Sequence, residues 1–196
     1  MRIAAALAAL LAVGMLTSCG YSSDQHDTRT GAQQTTEQAD HNADDITFAS
    51  NMVPHHEQAV VIAQLVPTNT TNQQIIDLAN RIIGSQVPEI QAFRAFLMQW
   101  QDAEGNDASP GHDGAGHGAA MPGMVDQATI DKLRSLRDAE FDQLWLTSMI
   151  DHHRGAIAMA QDEIAHGKNP DVIYLAKSII TAQQAEIDQM KQMLGG

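Results

Sequence analysis

Four stretches of the chain place apolar residues at spacings of three and four. The first runs through Phe48, Met52, His55, Ala59, Ile62 and Val66, the second through Ile75, Ala79, Ile82, Gln86, Ile90, Phe93 and Leu97. A third takes Trp145, Met149, His152, Ala156, Met159 and Glu163, and a fourth Val172, Ala176, Ile179, Gln183, Ile187, Met190 and Leu194. That period marks the buried face of a helix and not the alternation of a strand. Breaks fall at Pro67-Thr68-Asn69 and at Gly167-Lys168-Asn169-Pro170, where Asn72 and Asn169 suit N-caps and Pro170 suits a first helical turn. Pro54 and Pro88 lie inside helical patterns, so each predicts a kink or a late start. Leu133 and Leu136 predict either a backward extension of the third helix or a short extra one.

The first two stripes repeat in the last two. Residues 48–97 and 145–194 align without a gap and agree at 16 of 50 positions. The shared residues include Met52/Met149, His55/His152, His56/His153, Ala59/Ala156, Gln86/Gln183 and Glu89/Glu186. A unit of this length present only twice is a duplication, not a solenoid. Neither helical hairpin can bury its apolar stripe alone. Packed together, the two predict an all-α, pseudo-twofold four-helix bundle over residues 45–196.

The remaining stretches carry no stripe. Arg2 precedes an apolar run from Ile3 to Leu16, too short for a comfortable membrane span. Leu16-Thr17-Ser18-Cys19 follows and resembles a bacterial lipobox, which implies cleavage before Cys19 and lipid on its sulfur; a plain secretory signal with a stray cysteine is the other reading. Residues 1–18 are therefore expected to be a lipoprotein signal peptide. Residues 19–44, rich in Ser, Thr, Gln and Asp, read as a disordered tether in which His26 and His41 are passengers. A second polar stretch at about 102–126 is mostly Gly, Ala and Asp and reads as a flexible insert carrying His112, His117, Met121 and Met124.

Charge removes one class of partner. With 24 acidic and 11 basic side chains the formal charge is −13, which opposes binding to nucleic-acid phosphates. Cys19 is the only cysteine, so neither an intrachain disulfide nor a thiolate metal cage is available.

The duplicated phrase carries the candidate chemistry. On a helix Met52 stands one turn from His55 and His56, and Met149 one turn from His152 and His153. Gln86 and Gln183 interrupt apolar stripes on the partner helices, with Glu89 and Glu186 one turn on. These polar groups need partners, and the economical arrangement sets them beside the His pairs as metal ligands or as orienters. The competing reading is that the histidines are core residues hydrogen-bonded to Gln or Glu, with methionine filling space. Four His, two Met, two Gln and two Glu in register favour a metal. Imidazole suits copper, zinc and nickel, and thioether selects the softer ions, so copper leads, as Cu(I), with zinc or nickel as further candidates. Glu163-Ile-Ala-His166 has the spacing of a di-iron ligand pair, but its counterpart Val66-Pro67-Thr68-Asn69 does not, which argues against di-iron chemistry.

The phrases "FASNMVPHHEQAVVIAQ" and "MIDHHRGAIAMAQDEI", with "IITAQQAEIDQMKQML" closing the chain, resemble the bacterial domain-of-unknown-function family 305 over about residues 44–196. The resemblance implies a ferritin-like bundle, usually exported and often lipid-anchored, with copper binding and copper tolerance among some members. It carries over Met52, His55 and His56 with Met149, His152 and His153 as the ligand region, and more weakly Glu89 and Glu186. The reading is therefore a non-enzymatic copper-binding lipoprotein of the cell envelope, anchored through Cys19 on the extracytoplasmic face, whose partners are a metal ion and the membrane. The alternative is a structural or partner-binding bundle with core histidines; a metal-dependent redox enzyme ranks third, because no nucleophile–base pair or phosphate loop supports it.

Overall fold

The computed structural model describes residues 40–103 and 121–195. The expected signal peptide 1–18, Cys19, His26 and the centre of the insert with His112 and His117 lie outside the described residues. In order, the helices are α1 (Ala43–Ala63), α2 (Val66–Asn69), α3 (Gln73–Ala103), α4 (Gln127–Ser135), α5 (Asp138–His166) and α6 (Pro170–Met193). Among the described residues there is no strand, and no helix is long and apolar enough to cross a membrane.

The stripes explain the packing. α1 pairs with α3 and α5 with α6, and the two hairpins meet mainly through α1 against α5. This is the four-helix arrangement that the repeat predicts. One apolar cluster gathers Ile62, Ile75, Leu78, Ile82, Trp145, Met149 and Met190. A second gathers Phe48, Met52, Phe93, Trp100, Val172 and Ile179. Along α3 the first cluster ends at Ile82 and the second resumes at Phe93; along α6 the corresponding limits are Ile187 and Ile179. Gln86 and Gln183 fall in those gaps, so a polar layer is built into the middle of the bundle.

Local signals set the helix ends. The Asn42 side chain accepts from the Asp44 and Asp45 N–H groups, and Asp45 accepts from the Asn42 N–H, forming a capping box. Asn169 caps α6 by accepting from Asp171 and Val172, with Pro170 in the first turn. Asn72 accepts from the Gln74 N–H at the start of α3. Pro54 and Pro88 both sit inside unbroken helices, so neither marks a late start. The Leu133 region forms a separate short helix, α4, tied to the first hairpin when the Asn69 amide donates to the Leu133 and Leu136 carbonyls.

Three boundaries differ from the sequence expectation. The tether expected to reach residue 44 ends earlier, because Asn42 caps α1 and the buried His41 ring stacks on Trp100 with centroids 4.6 Å apart. His41 is therefore part of the fold. Of the insert expected at about 102–126, residues 102–103 continue α3 and 121–126 lie as a strap against α1 and α5. Leu194 ends its stripe exposed, one residue beyond α6.

Candidate metal centre

The polar layer holds His55 and His56 on α1 and His152 and His153 on α5, all buried. Adjacent histidines on a helix diverge by about 100°. His55 and His152 therefore meet across the α1–α5 seam, ring centroids 3.9 Å apart, while His56 and His153 turn toward the partner helix of each hairpin. There the repeat is exact in chemistry. His56 Nε2 lies 2.8 Å from Glu89 Oε2, and His153 Nε2 lies 2.7 Å from Glu186 Oε2.

These bonds decide which nitrogen is left over. A carboxylate accepts, so a neutral ring at His56 or His153 carries its proton on Nε2 and its lone pair on Nδ1. His55 Nε2 lies 3.0 Å from the Pro122 carbonyl oxygen, which can only accept, so the same tautomer follows. The Nδ1 atoms of His55, His56 and His153 are thus buried without a protein partner, and His152 has neither nitrogen paired. Gln86 lacks partners on both amide atoms and Gln183 on its oxygen. Eight of the twelve unpartnered buried side-chain atoms among the described residues fall in this one layer. At roughly 1–3 kcal/mol each, such a concentration is costly for a purely structural core.

Two of the rings, His55 and His152, are held neutral. Burial pulls His55 down to about 4, assisted by the neighbouring His56 and His153 and opposed by the Pro122 hydrogen bond. His152 is held well below the ordinary histidine value, first by burial and then by His55, His153 and His56. A neutral imidazole with one nitrogen tied to a carboxylate or carbonyl and the other free is the form that binds a metal.

Each expected site residue now has a place. The four histidines share one layer. Glu89 and Glu186 accept from Nε2, on the opposite ring edge from the free Nδ1, and so orient the imidazoles. Met52 and Met149 are fully buried, each in a different apolar cluster at the edges of the layer. No three His, Cys, Asp or Glu side chains among the described residues converge on a single point. These side chains therefore do not form a closed tetrahedral cage among the described residues.

Two features escaped sequence reasoning. One is the strap. The Gln58 amide donates to the Val125 carbonyl at 2.9 Å and accepts from the Val125 N–H at 2.8 Å, while Pro122 reaches His55. Gly123 has φ +79°, and a side chain there would press on the Asp151 carbonyl at 2.5 Å. The other is Glu163, which ends the third stripe. Its carboxyl is buried and pushed up to about 8, chiefly by burial and then by a side-chain hydrogen bond with Asp45 and repulsion from it, with Asp44 and Asp162 adding to the effect. Asp45 itself accepts from the Lys168 and Asn169 N–H groups and ties the α5–α6 loop to the start of α1. The signal for Glu163 was present, as an acid on an apolar stripe aligned with Val66. The strap left none beyond glycine and proline.

Comparison with known proteins adds to this geometry. The model of a domain of unknown function, DUF305, matches residues 45–194. A DUF305 fragment from Deinococcus radiodurans is 29% identical, with 80% of this chain and 99% of that one covered and a TM-score of 0.67. A DUF305 protein from Streptomyces coelicolor, provisionally described as secreted, is 28% identical over 78% of this chain and 92% of its own, with a TM-score of 0.68. CopM in its Cu(II)-bound form is 30% identical over 76% of this chain and 94% of CopM, with a TM-score of 0.63. CopM is also known in Cu(I)-bound and Ag-bound forms. No curated protein matches the chain.

Proposed function

The chain belongs to the DUF305 family, and from that premise we propose that it is an extracytoplasmic copper-binding lipoprotein that sequesters copper without an enzymatic step. Copper is its cargo. The observation that carries the reading is the mid-bundle layer, in which three histidines have Nε2 tied to an acceptor and a buried, unpartnered Nδ1. The copper- and silver-bound states of the structural relative CopM support the same ion class. His55, His56, His152 and His153 supply the nitrogens. Glu89 and Glu186 orient two of the rings, and Met52 and Met149 offer thioethers at the edges of the layer. A site of nitrogen and thioether without thiol holds copper without being consumed by disulfide formation. The lipobox at Cys19 would anchor the protein to the outer face of the cytoplasmic membrane, and the acidic exterior leaves nucleic acid outside its partners.

The test is a Cu(I) titration against a competing chelator, comparing the chain with a variant in which His55, His56, His152 and His153 are all alanine. Tight binding lost in the variant is the expected result. Equal binding by both would move copper to the insert and leave the histidines as core architecture, the reading that the full burial of Met52 and Met149 in apolar clusters favours.

A further inference from the structure

The strap crosses the α1–α5 seam beside the facing His55 and His152 rings, and two positions related by the repeat treat it in opposite ways. On α1, Gln58 grips it through a paired amide contact, donating to the Val125 carbonyl and accepting from the Val125 N–H. The equivalent residue 97 positions later on α5 is Gly155, where a side chain would overlap the Pro122 carbonyl. One position holds the strap and the other clears its path. Between these two contacts the Pro122 carbonyl meets His55 Nε2 at 3.0 Å.

That contact breaks the symmetry of the layer. His56 and His153 both take a glutamate on Nε2, but of the facing pair only His55 is bonded to the strap. A backbone carbonyl on a turn with Gly at positive φ is held by whatever fixes the turn. Here the Gln58 amide grips Val125, three residues along from Pro122, and one turn of α1 separates Gln58 from His55.

We propose that Gln58 is a positioning residue for His55: by clamping the strap it holds the Pro122 carbonyl on Nε2 and leaves Nδ1 as the lone-pair nitrogen presented to the metal. The inference rests on the metal reading of the layer, yet its first consequence is visible in the metal-free protein. Hydrogen-bond partners beyond the ligands fix the tautomer and ring orientation of metal-binding histidines, and their loss typically costs about 10–100-fold in affinity.

The experiment is imidazole nitrogen NMR on the full chain labelled at histidine, alone and with Ag(I) as a soft, diamagnetic probe. In the unmodified chain the His55 Nε2 proton is expected to be slow to exchange, with Nδ1 unprotonated. Gln58→Ala should release that proton to rapid exchange and average the two tautomers. Gly155→Ala, which displaces the strap from the opposite side, should do the same. The Nε2 protons of His56 and His153 should persist in both variants and report that the bundle is intact. Ag(I) should shift Nδ1 of His55 in the unmodified chain, and roughly tenfold more Ag(I) should be needed in the variants. A protected His55 proton surviving in both variants, or Nδ1–H in the unmodified chain, overturns the positioning role. Silver that shifts no imidazole nitrogen, with the proton signature intact, overturns the metal reading instead.

Discussion

Glu163→Gln should make the protein more stable at pH 8 and leave it unchanged at pH 4. Glu163 is 2% exposed and is set against Asp45, which accepts a hydrogen bond from its protonated carboxyl and repels its ionised form. Burial and that neighbour raise its folded value from 4.5 to about 8. Below the unfolded value both states hold the proton, and the group adds no pH dependence. Between about 4.5 and 8 the unfolded chain releases it while the folded chain retains it, so stability falls as pH rises and the loss is complete above the folded value. A displacement of that size corresponds to at most roughly 5 kcal/mol. The pocket of about 70 Å³ that Glu163 lines with Asp44, Asn51 and Asp162 admits water and brings the realised effect to about 2–3 kcal/mol. Glutamine fills the same volume and cannot ionise. Urea unfolding of both proteins at intervals from pH 4 to 9 isolates the residue, since every other titrating group is common to the pair. The difference should grow from near zero to its full size by about pH 8. A pH-independent difference, or a variant less stable than the parent at pH 8, would refute the argument.

Further outcomes follow from other contacts. Glu89→Gln and Glu186→Gln should each weaken Cu(I) binding by about 10–100-fold by loosening an orienting hydrogen bond, read by chelator competition; unchanged affinity in both would separate the glutamates from the site. Asn169→Ala removes the α6 cap and should cost about 1 kcal/mol, measured as a lowered Tm. Gly155→Ala, despite alanine's better helix propensity, should accelerate amide exchange at Val125 by displacing Pro122 from the α5 surface. If the Val125 amide stays protected, the close crossing is not what holds the strap.

Much of this architecture was legible in the chain because it repeats. The four stripes, the caps at Asn72 and Asn169 and the pairing of hairpins all follow from a 3.6-residue period read twice. The glutamate partners were legible for the same reason, since His56 to Glu89 and His153 to Glu186 span the same 33 residues. Which role they play was not. Spacing places Glu89 near His56 but says nothing of which ring edge it meets, and that edge decides between ligand and orienter. The strap was hidden for a different reason. Its contact with His55 is made by a main-chain oxygen, which every residue possesses, and Pro122-Gly123 sits in a composition that reads as unstructured. His41 escaped because its partner Trp100 lies at the far end of a later helix, beyond any local pattern.

The divergence of Gln58 and Gly155 also bears on why both halves are written into one polypeptide. Two copies of a single hairpin could associate about a true dyad and reproduce the His–Glu pairs, because those contacts are the same in each half. They could not reproduce the crossing. In such a homodimer the residue at position 58 and the residue at position 155 would be one and the same, either gripping on both sides or yielding on both. A glutamine at both would obstruct the turn, and a glycine at both would leave nothing to fasten it. Covalent fusion lifts that constraint. It lets the two facing imidazoles become inequivalent, one held by the strap and one not, at a position that a symmetric assembly would force to be identical.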